Sequence, residues 1–181
     1  EAALGENVVS TAVTNLSLLP GSRSVRDVER IAEHARAGSM VLSNHLSCGL
    51  NAWDYCLIDC PPSLGELTRT ALAGSTEVLM PIQCEYFALE GLTQMIEVIR
   101  DVMADQPGRL SFSGIVLTMH DANLELTTEV EREVRDFFGE IVFDTVIPRD
   151  VTVSEAPSHA LSVLDYAPRS LGARAYTELC M

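Results

Sequence analysis

The stretch Tyr55-Cys56-Leu57-Ile58-Asp59-Cys60-Pro61-Pro62-Ser63-Leu64-Gly65-Glu66 sets a carboxylate at the end of an apolar run and two prolines just behind it. An aspartate at the tip of a buried strand is costly unless something uses it. Two readings follow from the residues. Asp59 holds Mg²⁺ through water and orients a nucleotide phosphate, a task that needs a hard oxygen ligand on a stiff backbone. Alternatively, it accepts backbone N–H bonds within its own turn. Pro61 and Pro62 stiffen the exit by fixing φ, and Ser63 with Glu66 has the spacing of a capping box for the next helix.

Three other apolar runs leave polar residues at their ends: Pro81-Ile82-Gln83-Cys84-Glu85-Tyr86, Thr118-Met119-His120-Asp121 and Ile147-Pro148-Arg149-Asp150. In an open parallel sheet, ligands lie beyond the carboxyl ends of the strands, so four such exits on one rim point to a ligand edge. Each alone is more often an ordinary turn. His120 and His159 have no partner at metal-ligand spacing, which favours solvent-facing or turn-stabilising roles. No GxSxG or HExxH signature occurs, and Cys60 has no basic neighbour to activate it as a nucleophile. The five cysteines (Cys48, Cys56, Cys60, Cys84, Cys180) show no CxxC pair, and their odd number argues for reduced thiols.

The elements that must position these residues alternate between strand-like and helix-like patterns, which predicts an α/β fold: a mostly parallel sheet with helices on both faces. Candidate strands are Leu16 to Leu19, Tyr55 to Asp59, Glu77 to Pro81, Phe112 to Met119 and Ile141 to Ile147. Several are apolar on both faces, as buried parallel strands are. Leu89, Leu92, Ile96, Ile99 and Met103 recur at steps of three and four and predict one packed helix face. A second helix reads from a capping box at Thr128 and Glu131, through a buried stripe of Val130, Val134, Phe137 and Phe138, to a stop at Gly139, with Glu131 and Arg135 as an exposed i,i+4 pair. A shorter helix begins at Ser24, with Asp27 as its box partner and Val28, Ile31 and Ala35 on one side. Residues Ala37 to Asn51 read as irregular.

The chain has 181 residues and 47% hydrophobic content, enough for one sizeable core and too few for two ordinary enzyme domains. Its net charge is −14, and all 12 basic residues are arginine. Such a chain repels nucleic acid and acidic membranes unless its arginines gather on one face. No apolar run is long enough to span a membrane, so a cytoplasmic location is expected. The chain opens on Glu1 and its last helical pattern, Ser170 to Met181, has no stop signal, which reads as a single domain truncated at the N-terminus and clipped at the C-terminus.

Four segments, LIDCPPSLGELT (Leu57 to Thr68), MPIQCEYFALEGLTQ (Met80 to Gln94), GIVLTMHD (Gly114 to Asp121) and VIPRDVTVSEAPSH (Val146 to His159), closely resemble, in order and spacing, the ParA/Soj partition ATPases of the deviant Walker A group, relatives of MinD. The resemblance runs from about Asn15 to the end. It implies a P-loop NTPase-like fold and a cytosolic ATPase, nucleoid-associated if DNA binding is retained. Such an enzyme binds ATP and Mg²⁺, sandwiches two ATP molecules in a homodimer, binds DNA non-specifically and is stimulated by a ParB-like partner in chromosome or plasmid segregation. By the same resemblance Asp59 matches the Walker B-like aspartate that holds Mg²⁺ through water, and Pro61 and Pro62 match the switch behind it. Met119, Pro148, Arg149 and Asp150 fall in the nucleotide-base pocket, and Glu85, Tyr86 and Glu90 fall near the dimer interface.

The chain departs from the pattern in two respects. It holds neither lysine nor the KGGxGKT-type loop that cradles the phosphates, so the whole gene product is expected to supply that loop upstream. Basic residues common in the family are absent at Ala122-Asn123-Leu124-Glu125, Thr152 and Leu161, so weak DNA binding is expected; Arg100, Arg109, Arg132 and Arg135 are the candidate substitutes. The competing readings are a non-catalytic relative that acts as an interaction module and a MinD-like ATPase.

Overall fold

The computed structural model describes residues 7–21, 42–44, 46, 53–61, 63–86 and 88–181, with backbone alone for 88–90. The helix expected from Ser24 and the residue Pro62 lie outside them. The chain divides into two compact units, one of Glu1–Glu77 with Glu97–Ser111 and the other of Val78–Ile96 with Phe112–Met181.

In the first unit, β1 (Val9–Ser10) and β2 (Ser17–Leu18) form a short antiparallel hairpin, so the expected strand over Leu16 to Leu19 shrinks to two paired residues. Asn15 takes the left-handed conformation in the turn, which its short polar side chain tolerates. Residues 42–44 are helical rather than irregular. Residues Tyr55 to Asp59 are not a strand. Their backbone joins no ladder among the described residues, and Tyr55 and Leu57 are 89% and 95% exposed. A strand exists only through a partner's hydrogen bonds, so apolar content alone does not make one. The helix that follows, α1 (Glu66–Gly74), starts at Gly65 without a side-chain cap. The box expected from Ser63 and Glu66 does not form; the Thr68 hydroxyl instead donates to the Ser63 carbonyl at 2.6 Å.

β3 (Glu77–Gln83), β4 (Ser111–His120) and β5 (Val142–Pro148) form one sheet in that order, with β4 and β5 parallel. Gly114 to Leu117 are buried without a break, as a strand covered on both faces requires, whereas β3 alternates, burying Met80 and Ile82 and exposing Leu79. Gly114 has φ +150°, and a Cβ there would lie 2.6 Å from a Phe143 ring carbon and 2.9 Å from the Ile141 carbonyl. Only glycine fits that crossing.

α2 (Ala88–Asp105) buries Leu92 and Ile99 and half-buries Ile96 and Met103, as the periodicity predicts; the Leu89 side chain lies outside the described residues, and Val98 and Val102 are buried beside the expected stripe. α3 (Glu125–Phe138) starts three residues before Thr128, from Leu124, so the capping box expected at Thr128 and Glu131 is absent. The turn before the helix is instead closed by Asp121, whose carboxylate accepts the Asn123 backbone N–H and side-chain amide, both at 3.0 Å. That geometry satisfies polar groups locally and lets the helix begin early. Val130 and Val134 are buried, but Phe137 is 81% exposed and rests edge-on against Phe138. Gly139 ends the helix in the left-handed region, as expected.

After β5 come three short α-helices, α4 (Val151–Glu155), α5 (Val163–Tyr166) and α6 (Leu171–Leu179), with a 3-10 turn, Ala156–His159, between the first two. The last is capped by the Ser170 hydroxyl and packs on the sheet, where Val116, Ile147 and Ala175 form a core with Phe143 and Leu179.

Candidate functional site

In the first unit, Asp59 sits on the exposed, irregular segment that leads to Pro61. Its carboxylate accepts no hydrogen bond from any described residue, so neither oxygen is consumed by the turn. The neighbouring Cys60 thiol is pushed up by desolvation and by the Asp59 charge, which keeps it protonated and a poor nucleophile.

The second unit brings together most of the other expected residues at the carboxyl ends of its strands. Met119, next to last in β4, is a non-glycine residue in the left-handed region, at φ 54°. The register between β4 and β5 shifts there, between the pairs Leu117–Val146 and His120–Pro148. Such a kink inside a strand re-aims the backbone at its exit. Arg149 donates its backbone N–H to the His120 carbonyl at 2.8 Å, and its guanidinium pairs with Glu85 at 3.1 Å. Glu85 and Arg149 are about half exposed, so their pair is weak in energy and open to exchange for another charged partner. Tyr86 is exposed, and Glu90 lies in the first turn of α2 with its side chain outside the description.

Asp150 does a different job from its neighbours. One carboxylate oxygen caps α4, accepting from the Thr152 N–H at 2.9 Å and the Thr152 hydroxyl at 2.8 Å; the other accepts from the Gly172 N–H at 2.8 Å. The bonds from Gly172 and Thr152 hold its carboxyl below the ordinary carboxylate range. Asp150 thus ties the loop after β5 to the start of α6. The approach is close enough that a Cβ on Gly172 would stand 2.4 Å from a Val153 methyl.

One constellation has no counterpart in the sequence reading. His120, which sequence spacing assigns to solvent or to a turn, has a largely buried side chain whose Nε2 lies 2.9 Å from a Glu131 oxygen on α3, without regular hydrogen-bond geometry. Glu131 also accepts from Arg135 Nε at 2.9 Å, so the i,i+4 pair forms, partly buried rather than exposed. Arg135 continues to the carbonyls of Phe143 at 3.1 Å and Asp144 at 3.3 Å on β5. Nothing in the local pattern reveals this, because a strand end, a helix face and a second strand meet only in three dimensions. His159 lies stacked on Tyr166 at the surface. Of the four arginines that are candidate substitutes for the missing basic residues, Arg135 is thus engaged, Arg109 bonds to Ser43, and Arg100 and Arg132 are exposed.

The fold is that of an α/β domain with a parallel sheet, and an AAA domain family model matches residues 1–112. The chain is 29% identical to cobyrinic acid a,c-diamide synthase from Mycobacterium smegmatis, solved with an ATP analogue and magnesium, with a TM-score of 0.78 over 98% of this chain and 65% of that one. It is 44% identical to the chromosome-partitioning ATPase Soj of Treponema pallidum over 94% of this chain and 67% of the relative. It is 41% identical to the sporulation initiation inhibitor protein Soj of Bacillus subtilis over 95% of this chain and 68% of the relative. The chain belongs to the Soj/ParA family of chromosome-partitioning ATPases. Among the described residues, no helix is long and apolar enough to cross a membrane.

Proposed function

We propose that this chain works in a ParA-like ATPase of chromosome or plasmid partitioning, which hydrolyses ATP to ADP and phosphate with Mg²⁺. The observation that carries the reading is the free Asp59 carboxylate at the head of the Pro61 exit, within the segment most like the family's Mg²⁺-site motif. Hard, acceptor-only oxygens suit Mg²⁺, which needs only one or two protein carboxylates once waters and phosphate oxygens fill the rest of its shell. Bound there, the ion would neutralise charge developing on the phosphate oxygens. The residues of this chain hold and orient. Asp59 would hold the ion through water at the stiff exit that Pro61 begins. In the second unit, the Met119 turn with Pro148 and Arg149 would contact a nucleotide base. Asp150 shapes the same loop from behind. Glu85, Tyr86 and Glu90 face a second copy of the protein when ATP joins the two, and a ParB-like protein is the partner that triggers turnover.

DNA binding by this part of the protein is weak. The net charge of −14 opposes a polyanion, and Arg135 is occupied by carbonyls and a carboxylate. The test is Asp59→Ala in the intact gene product. ATP turnover falls by roughly 100-fold or more, the scale expected for losing a metal-positioning carboxylate, while the circular dichroism spectrum stays the same. Undiminished turnover would overturn the assignment of Asp59.

A further inference from the structure

We propose that His120 is a positioning residue that sets nucleotide affinity by clamping the Met119 turn between α3 and the loop after β5. The proposal rests on the reading of that turn as the base side of an ATP site.

Methionine in the left-handed region is opposed by its own Cβ, and such a conformation persists only where its surroundings over-determine it. His120 supplies constraints from two directions. Its carbonyl accepts the Arg149 N–H at 2.8 Å and its register partner is Pro148, so the main chain is fixed to β5. Its imidazole packs against α3, with Nε2 2.9 Å from a Glu131 oxygen and no hydrogen-bond geometry between them. Glu131 is itself anchored, because Arg135 grips it at 2.9 Å and grips the Phe143 and Asp144 carbonyls on the far part of β5. The tip of β4 is therefore tied through one helix to both ends of β5. The other charged or titratable groups near this tie are Asp121 and Arg149 on the flanking turns and Cys84 after β3. Burial and the Glu131 charge push the Cys84 thiol up to about 11, so it remains neutral beside Glu131.

The arrangement calls for no proton transfer to substrate. It predicts that the histidine governs where the Met119 backbone stands, and hence how well a base fits against it, without touching the phosphate chemistry.

The experiment compares His120→Ala, His120→Gln and Glu131→Gln with the wild type in the intact gene product, by ATPase kinetics and by amide hydrogen exchange. Expected are a KM for ATP about tenfold higher in His120→Ala, with kcat within about twofold, and faster exchange at the Arg149 amide. His120→Gln keeps a donor within reach of Glu131 and restores most of the KM. If His120→Ala does not fold, Glu131→Gln carries the test, since it keeps the shape and removes the charge. Faster exchange with an unchanged KM would reduce the tie to a purely structural brace and overturn the proposal, as would a kcat loss equal to the loss in kcat/KM. Failure of the wild type to bind ATP would instead remove the functional reading itself, and affinity control with it. The exchange data would still report whether His120 holds the turn.

Discussion

Asp150 shows how far a family position can differ in task from its neighbours. Its two oxygens are spent on Thr152 and Gly172, so its first effect is on stability. Asp150→Ala is expected to cost about 1–2 kcal/mol in urea unfolding at pH 7, as for other helix caps. The pH dependence has a definite sign. Because the folded carboxyl titrates below its ordinary value, its contribution is complete above the unfolded value of about 4 and fades as pH falls through the lower folded one. The gap between wild type and variant should therefore close on acidification below about pH 4 and stay constant between pH 5 and 8. A gap that widened towards acid would contradict the bonding scheme.

At the scale of elements, the close approach of α6 to the loop after β5 depends on one missing methyl group. Gly172→Ala would force its Cβ against Val153, 2.4 Å away, and is expected to cost about 1–3 kcal/mol. Val153→Ala in the same protein should recover most of that loss, and a melting series on the two singles and the double measures the coupling. α3 offers the opposite contrast. Val134 is fully buried and Val134→Ala should cost about 2 kcal/mol, whereas Phe137→Ser should cost less than about 1 kcal/mol. Periodicity identifies β4, β5 and the packed stripe of α2, because a covered strand and an amphipathic helix leave their burial in the spacing of apolar residues. It places Val130 and Val134 correctly and Phe137 wrongly, since a helix has a last turn and nothing in the pattern says whether a neighbour extends that far. Capping boxes at Ser63 and Thr128 have the right letters and fail for a related reason. The helix start is decided by the turn before it, and Asp121 closes that turn for α3. The rim residues Met119, Pro148 and Arg149 are legible as strand exits, but His120 with Glu131 is not, being a contact between distant segments.

For the molecule as a whole, the exposed run at Tyr55 and Leu57 is the largest departure from what apolar content leads one to expect. Apolar surface of that kind, on backbone with open hydrogen-bonding groups, seeks company. The 181-residue chain prepared alone is expected to self-associate in sedimentation at micromolar concentration, and the paired change Tyr55→Ser with Leu57→Ser to raise the monomer fraction. A sharp, cooperative melt of a soluble monomer would count against this. Cys84 offers a means of watching such events. Cys84 is 3% exposed and burial with the Glu131 charge pushes its thiol up to about 11, while Cys56, Cys60 and Cys180 lie at the surface. With Cys48 and those three replaced by serine, the rate at which an alkylating reagent consumes Cys84 becomes a stopwatch for the opening of the sheet, one that nucleotide should slow if the rim closes around it.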